Sequence, residues 1–203
     1  MTQRITNYQK QDHPQSCTAL AIKCALHEFD IIKYDGLKGG ELKLWNKLKR
    51  SNSKGEEDIM PHSAVSYLLK KGCKVEIIEN KTKSAPLVQL ANKEYSEYQQ
   101  GLTQENLKPT NRPLDVIKDF ENDARIFMIV GFLNQGKFST HTLLCRKDAN
   151  SYWVLNPDGG TDTSYTYSEF DAFLKHNNPQ VQSPNFGSKT NYIFTGICFR
   201  VTL

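Results

Sequence analysis

The sequence has no long hydrophobic run that could anchor it in a membrane. None of its 203 residues belong to a stretch approaching the roughly 20 apolar residues that a membrane-spanning helix needs. The first residues also lack the apolar segment of a cleavable signal peptide. We therefore expect a protein without a membrane span, which stays in the cytoplasm or is secreted by a route without a cleavable signal peptide.

Cysteine is scarce, and its spacing excludes the usual structural uses. The five cysteines are an odd number and form no CxxC pair, which indicates neither a disulfide framework nor a zinc site. We predict no metal and no cofactor. Four of the cysteines lie inside apolar runs, where a thiol usually packs as a small hydrophobic group: Cys24, Cys73, Cys145 and Cys198. Cys17 differs because it stands at the start of such a run.

The chain also has no strong excess of charge of one sign. It holds 26 basic and 22 acidic residues, a net charge of +4. The densest basic stretch, residues 43–54, is typical of a solvated helix face, because aromatic residues are not interleaved with its charges. We predict no nucleic-acid partner and leave the oligomeric state open. Hydrophobic residues make up 38% of the chain, which allows a packed core in one domain over residues 1–203.

Hydrophobic periodicity predicts helices early in the chain and strands later. The predicted helices cover residues 17–29, 41–50, 61–71, 87–99 and 113–122, and a capping box from Ser168 to Asp171 predicts one more. The predicted strands cover residues 74–78, 125–132, 138–146, 151–155 and 192–202. This order favours an α+β fold in which the helix that begins at Cys17 packs on a C-terminal antiparallel sheet.

Cys17, His141 and Asn156 have the residue types and the setting of a nucleophilic site. The positive end of a helix dipole at Cys17 favours a thiolate, which is the attacking form of cysteine. His141 lies in a predicted strand and can take the thiol proton and pass it to a leaving amine. Asn156 follows the next strand and can fix the tautomer of that histidine. Gln11, six positions before Cys17, can donate to the oxyanion together with the backbone N–H of Cys17.

Two of these roles have rivals in the sequence. His13 lies four positions before Cys17 and is the rival base. Asp158 lies two residues beyond Asn156 and is the rival orienter, because a carboxylate stabilises an imidazolium more strongly than an amide does. We expect Asn156 to orient the base, and Asp158 to act mainly on the turn that holds it.

The order Gln11, Cys17, His141 and Asn156 resembles that of the papain-like cysteine peptidases. It is most similar to the bacterial branch that includes the double-glycine leader peptidases of bacteriocin exporters, and the resemblance runs from Gln11 to Gly160. It implies that Gln11 is the oxyanion donor, Cys17 the nucleophile, His141 the base and Asn156 the orienter. The resemblance also implies a papain-like fold and a protein or peptide substrate.

The sequence departs from that branch at two positions and leaves three functions open. Thr18 stands where the branch usually has glycine, and Asn156 stands where it usually has aspartate. The first candidate is a papain-like cysteine protease with a Cys-His-Asn triad, in the setting of a secreted bacterial effector. Papain-fold effectors also include glutamine deamidases, which use the same triad and are the second candidate. The third is a non-catalytic binding module with the papain fold.

Overall fold

A seven-stranded sheet forms the centre of the fold, and helices cover both of its faces. The computed structural model describes residues 10–33, 40–52, 55–84, 92–149, 151–177, 186 and 190–203. The predicted α+β fold is confirmed in these residues, and the helix that begins at Cys17 packs against the sheet as expected. None of the helices in the described ranges combines the length and apolar character that a membrane crossing requires.

The helices agree closely with the prediction near the N-terminus and less well later. The helices whose bounds the structure describes are α1 (Cys17–Glu28), α2 (Gly40–Leu48), α3 (Pro61–Lys70), α4 (Asn92–Gln104), α5 (Leu114–Lys118) and α6 (Tyr167–Lys175). The helix predicted over residues 87–99 corresponds to α4, which ends at Gln104, five residues later than predicted. Its predicted start, residues 87–91, lies outside the described residues. Helix α1 is apolar around most of its circumference, which is typical of a helix enclosed by the fold.

The strands form two sheets. A two-stranded sheet pairs β1 (Arg50–Ser51) with β2 (Glu57–Asp58). The large sheet holds β3 (Lys74–Glu79), β4 (Thr110–Asn111), β5 (Arg125–Asn134), β6 (Lys137–Lys147), β7 (Tyr152–Asn156), β8 (Thr161–Tyr165) and β9 (Ile193–Thr202). Its order is β4-β3-β9-β5-β6-β7-β8, and every neighbouring pair is antiparallel except the short pair β3–β4.

Both faces of the large sheet are buried, so its central strands are apolar on both sides. Phe127 of β5 belongs to the core cluster shared with α1, whereas its neighbours Ile126 and Met128 belong to the cluster on the other face. A strand covered on both faces reads as a continuous apolar run rather than an alternating one. This explains why the sequence around β5 could be identified as a fully buried strand.

The register of β6 and β7 brings the predicted base and its orienter to the same face. Leu144 of β6 lies opposite Leu155 of β7. Because successive side chains alternate between faces, Asn156 and His141 project to the same side, close to one another as diagonal neighbours. A local hairpin is therefore enough to bring the two residues together.

The predicted cap of the last helix was wrong by two positions. Thr166, not Ser168, is the N-cap of α6, and its hydroxyl and Glu169 form the reciprocal bonds of a capping box. Thr166 has the extended backbone that a cap needs, whereas Ser168 already lies inside the helix. Asp171 instead pairs with Lys175, at 2.6 Å along the exposed side of α6.

Candidate active site

Cys17 is the first residue of α1 and lies at the point where this helix meets the sheet. Its side chain is 7% exposed. Ser16 stands at the N-cap but makes no capping bond to the helix, and its hydroxyl donates instead to the His13 carbonyl at 2.8 Å. The hydroxyls of Thr18 and Thr142 are 2.8 Å apart and fasten the first turn of α1 to β6. The thiol is thus held against the strand that carries His141.

His141 and Asn156 form a hydrogen bond in which the role of each atom is fixed. The Nε2 of His141 lies 2.8 Å from the Oδ1 of Asn156. Asn156 is completely buried, and its Nδ2 donates to the carbonyl of Phe186 at 3.1 Å, so its oxygen faces the imidazole. An amide oxygen only accepts, so Nε2 carries the hydrogen. The other ring nitrogen, Nδ1, is left to interact with Cys17.

The electrostatics of Cys17 and His141 favour a thiolate beside an imidazolium. Burial by itself raises the pKa of the thiol, but the charge and hydrogen bond of His141 and a hydrogen bond from the Thr142 backbone outweigh it, so the pKa of Cys17 lies below its ordinary value. Burial likewise disfavours the imidazolium, yet Cys17, Asn156 and Asp158 together raise the pKa of His141. Each group therefore stabilises the charged form of the other.

Tyr192 fixes the plane of the His141 ring. The two rings stack with their centroids 5.4 Å apart and their planes 15° from parallel. Tyr192 is buried directly before β9 and also contacts Phe186, whose carbonyl holds Asn156. Sequence reasoning missed Tyr192 and Phe186, because nothing in the local pattern distinguishes an aromatic residue that faces the site from one in the core.

Gln11 lies in the segment directly before α1 and is buried beside it. Its backbone N–H donates to the Pro157 carbonyl at 2.9 Å, which ties this segment to the turn after Asn156. Its side-chain Nε2 donates to the Pro14 carbonyl at 2.8 Å. An amide nitrogen has two hydrogens, so the second N–H of Gln11 is the group that could donate to an oxyanion.

The rival residues have different surroundings from those of the predicted base and the predicted orienter. The backbone N–H of Asp158, rather than its carboxylate, bonds to the Oδ1 of Asn156 at 3.1 Å. The imidazole of His13 stacks on Trp45 with ring centroids 4.2 Å apart, and its Nδ1 accepts the Gln15 N–H at 3.2 Å. Among the described contacts, His141 is the histidine that bonds to Asn156.

Asp58 is a further acidic residue at the site that sequence reasoning did not identify. It lies on β2 and lines the same cavity as Cys17 and His141. Burial raises its pKa to about 6, although the N–H of Ile59 donates to it and partly offsets the burial. Its negative charge raises the pKa of Cys17, whereas His141 lowers that pKa. Only the fold joins this short hairpin to the site, so the sequence holds no local sign of its role.

Comparison with known proteins identifies likeness in fold alone. No family model matches the sequence, and no curated protein matches it. The structure is similar to a double glycine motif protease from an AMS/PCAT transporter, solved in complex with the leader peptide, at 11% identity and a TM-score of 0.48 over 98% of this chain and 94% of that one. It is also similar to the Pseudomonas avirulence protein AvrPphB, at 12% identity and a TM-score of 0.46 over 98% of each chain.

Proposed function

We propose that this protein is a papain-like cysteine peptidase that hydrolyses an amide bond in a protein or peptide substrate. The observation that carries the proposal is the 2.8 Å bond between His141 and Asn156, which leaves Nδ1 of the same ring to Cys17. The lowered pKa of Cys17 and the raised pKa of His141 support the same pairing. A nucleophile, a base and a group that orients the base are the parts that thiol acyl transfer needs.

In the first half of the reaction the Cys17 thiolate attacks the substrate carbonyl carbon. A C–S bond forms and the carbonyl electron pair moves to oxygen, which becomes an oxyanion. As this intermediate collapses, the C–N bond breaks and the His141 imidazolium gives its proton to the departing amine. The products are a free amine and a thioester on Cys17, with His141 neutral.

In the second half water replaces the amine. Neutral His141 takes a proton from water, the hydroxide oxygen attacks the thioester carbon, and the C–S bond breaks to return the thiolate and a carboxylic acid. Asn156 accepts the Nε2 hydrogen throughout, so the ring keeps its orientation as Nδ1 gains and loses its proton. Tyr192 holds the ring plane by stacking on it.

The oxyanion would be stabilised by donors near the first turn of α1. The backbone N–H of Cys17 is one, because Cys17 is the first residue of α1 and the first N–H groups of an α-helix have no partner within the helix. The second N–H of the Gln11 side chain is the other. Loss of one such donor typically costs roughly 3–4 kcal/mol of transition-state stabilisation. The Gln11→Ala variant is therefore expected to keep its fold and lose most of its turnover.

The proposal is tested by mass spectrometry of a peptide and protein library incubated with the protein. A break in the chain that disappears with Cys17→Ala supports a peptidase. A gain of about one mass unit at a glutamine, also lost with Cys17→Ala, would replace the peptidase with a deamidase, since both reactions pass through the same thioester. If neither change occurs while iodoacetamide still labels Cys17, the chain is a binding module and the proposal fails.

A further inference from the structure

A second cavity adjoins the one that contains Cys17, and the mechanism above does not use it. The two cavities share Asp58, Pro61, Ile129 and Thr140 as walls. A substrate with its reacting carbonyl at Cys17 therefore has a neighbouring side chain within reach of the second cavity. That cavity encloses about 100 Å³, whereas one water molecule needs roughly 10–15 Å³. It has room for a substrate side chain.

Much of the wall of this second cavity is apolar. Met60 and Ile197 contribute aliphatic surface, and Tyr95 and Tyr98 contribute aromatic surface. The Tyr95 hydroxyl is already engaged, since it donates to Glu79 at 2.5 Å. Long cationic side chains bury their methylene stems along such surfaces and keep the charged end at a polar group.

The charged residues of the same wall are all acidic. Among the described residues that line it, Asp58, Glu94 and Glu97 carry charge, and none is lysine, arginine or histidine. Oδ1 of Asp58 accepts the N–H of Ile59 at 2.7 Å. One carboxylate oxygen of Glu97 is buried and has no hydrogen-bond partner within the described ranges. Carboxylates removed from water in this way are stabilised by a cation that bonds to them.

Tyr98 gives an independent indication of a missing hydrogen-bond partner. It lines the cavity, is 3% exposed, and its hydroxyl oxygen has no hydrogen-bond partner in the part of the chain that the structure describes. Buried polar groups in folded proteins nearly always have such a partner.

We propose that the second cavity is a specificity pocket for a lysine or arginine side chain of the substrate, close to the cleaved bond. The stem of this side chain lies along Tyr95 and Tyr98, and its charged end bonds to Asp58 and Glu97. The inference rests on the proposed peptidase function, and it names the class of substrate that function would act on.

The test varies, one at a time, the residues that flank the cleaved bond in a peptide substrate. Lysine and arginine should raise kcat/KM about tenfold or more over norleucine at one position, because a cation there pairs with buried carboxylates. Asp58→Asn and Glu97→Gln should each bring the ratio of kcat/KM between the lysine and norleucine peptides close to one; this ratio is the readout, because Asp58 also acts on the pKa of Cys17 and so on the turnover of both peptides. Glu57→Gln is the matched control, since Glu57 precedes Asp58 on β2 but pairs with Lys49 outside the cavity.

Binding of the same peptides to the Cys17→Ala protein, followed by fluorescence anisotropy, separates the pocket from the chemistry. Cleavage without a preference for lysine or arginine overturns the proposed pocket but leaves the proposed peptidase function standing. The same holds if the preference exists but survives in both Asp58→Asn and Glu97→Gln. Tighter binding of the lysine peptide than of its norleucine counterpart, lost with Asp58→Asn and with Glu97→Gln, supports the pocket even where no peptide is cleaved. Equal binding of the two peptides overturns the pocket.

Discussion

At the scale of single residues, the candidate site depends on which atom of each side chain is already engaged. Asn156 gives its nitrogen to the Phe186 carbonyl, so its oxygen is the atom that meets His141. Cys17, His141 and Asn156 were predictable from the sequence because a helix start and one hairpin define their settings. Tyr192 could not be predicted, because it reaches His141 from the far end of the chain.

Replacing the proposed orienter, Asn156, should reduce activity more than replacing its acidic neighbour. Asn156→Ala removes the acceptor of the Nε2 hydrogen, and we expect kcat/KM to fall roughly a hundredfold. Asp158→Ala leaves that bond in place and should act mainly on stability, since its backbone N–H makes the contact with Asn156. Steady-state kinetics of both variants check this order, and a larger loss of activity with Asp158→Ala would contradict it.

Alkylation should select Cys17 among the five cysteines. Burial raises the pKa of Cys24, Cys73, Cys145 and Cys198, whereas His141 lowers that of Cys17. Because the thiolate is the reactive form, iodoacetamide should label Cys17 at lower pH than any of the others.

The pH profile of this labelling also tests the partner of Cys17. His141→Ala removes the imidazolium, so the pH needed for alkylation should shift upwards. Peptide mass mapping across a pH series gives both results. A profile that is the same in wild type and His141→Ala would exclude His141 as the partner, and labelling of Cys73 in preference to Cys17 would exclude Cys17 as the nucleophile.

At the scale of elements, α2 holds the segment that leads into α1. Glu41 accepts the backbone N–H of Asp12 at 3.2 and 3.3 Å and contacts the hydroxyl of Ser16. Trp45, one turn further along α2, stacks on His13. The apolar positions of α2 predicted this helix. No local sequence pattern indicates that Glu41 accepts hydrogen bonds from the segment before α1, because the two are far apart in the chain.

The same limit applies to strands. Strand β5 was predictable because its continuous run of apolar residues is typical of a strand buried on both faces. Strand β8 was not, because its sequence, Thr161 to Tyr165, is mostly small and polar, and it is extended through its pairing with β7. Such an edge strand is extended because it pairs with its neighbour, and its local sequence alone does not indicate a strand.

Glu41 should make stability depend on pH. Burial raises its pKa from 4.5 to about 7, so the native state keeps a proton that the unfolded state has lost. The free energy of unfolding should therefore fall as pH rises from about 4.5 to about 7. Glu41→Gln should flatten this part of the profile, as measured by urea unfolding at several pH values. Glu121→Gln, on an exposed side chain, should leave the slope as in wild type.

At the scale of the whole molecule, a buried ionic network joins the end of α1 to the sheet. Glu28 lies 2.5 Å from Nε of Arg125 on β5 and 2.6 Å from a guanidinium nitrogen of Arg146 on β6. Arg146 also pairs with Asp162 on β8. The network fixes the far end of the helix whose first residue is Cys17, so it bears on the position of the proposed nucleophile.

Breaking this network should be strongly destabilising. Glu28→Ala leaves two arginines buried near each other, and loss of one partner from a buried pair costs about 3–5 kcal/mol. Glu57→Ala breaks the exposed pair with Lys49, at 2.7 Å, and should change the free energy of unfolding by about 1 kcal/mol at most. Urea denaturation of the two variants checks the contrast, and similar losses would show that the Glu28 network adds no more than a surface pair.

The contact between Asn156 and Phe186 has a consequence for how the site can vary and how it can be studied. The group that orients Asn156, and that also accepts the hydroxyl of Thr161 at 2.8 Å, is a main-chain carbonyl. Every amino acid carries this carbonyl, so evolution can exchange the ring at position 186 without erasing the acceptor. A mutational scan at position 186 would therefore report only on the packing of the aromatic ring. It would not detect the hydrogen bond that the carbonyl of this residue accepts from Asn156.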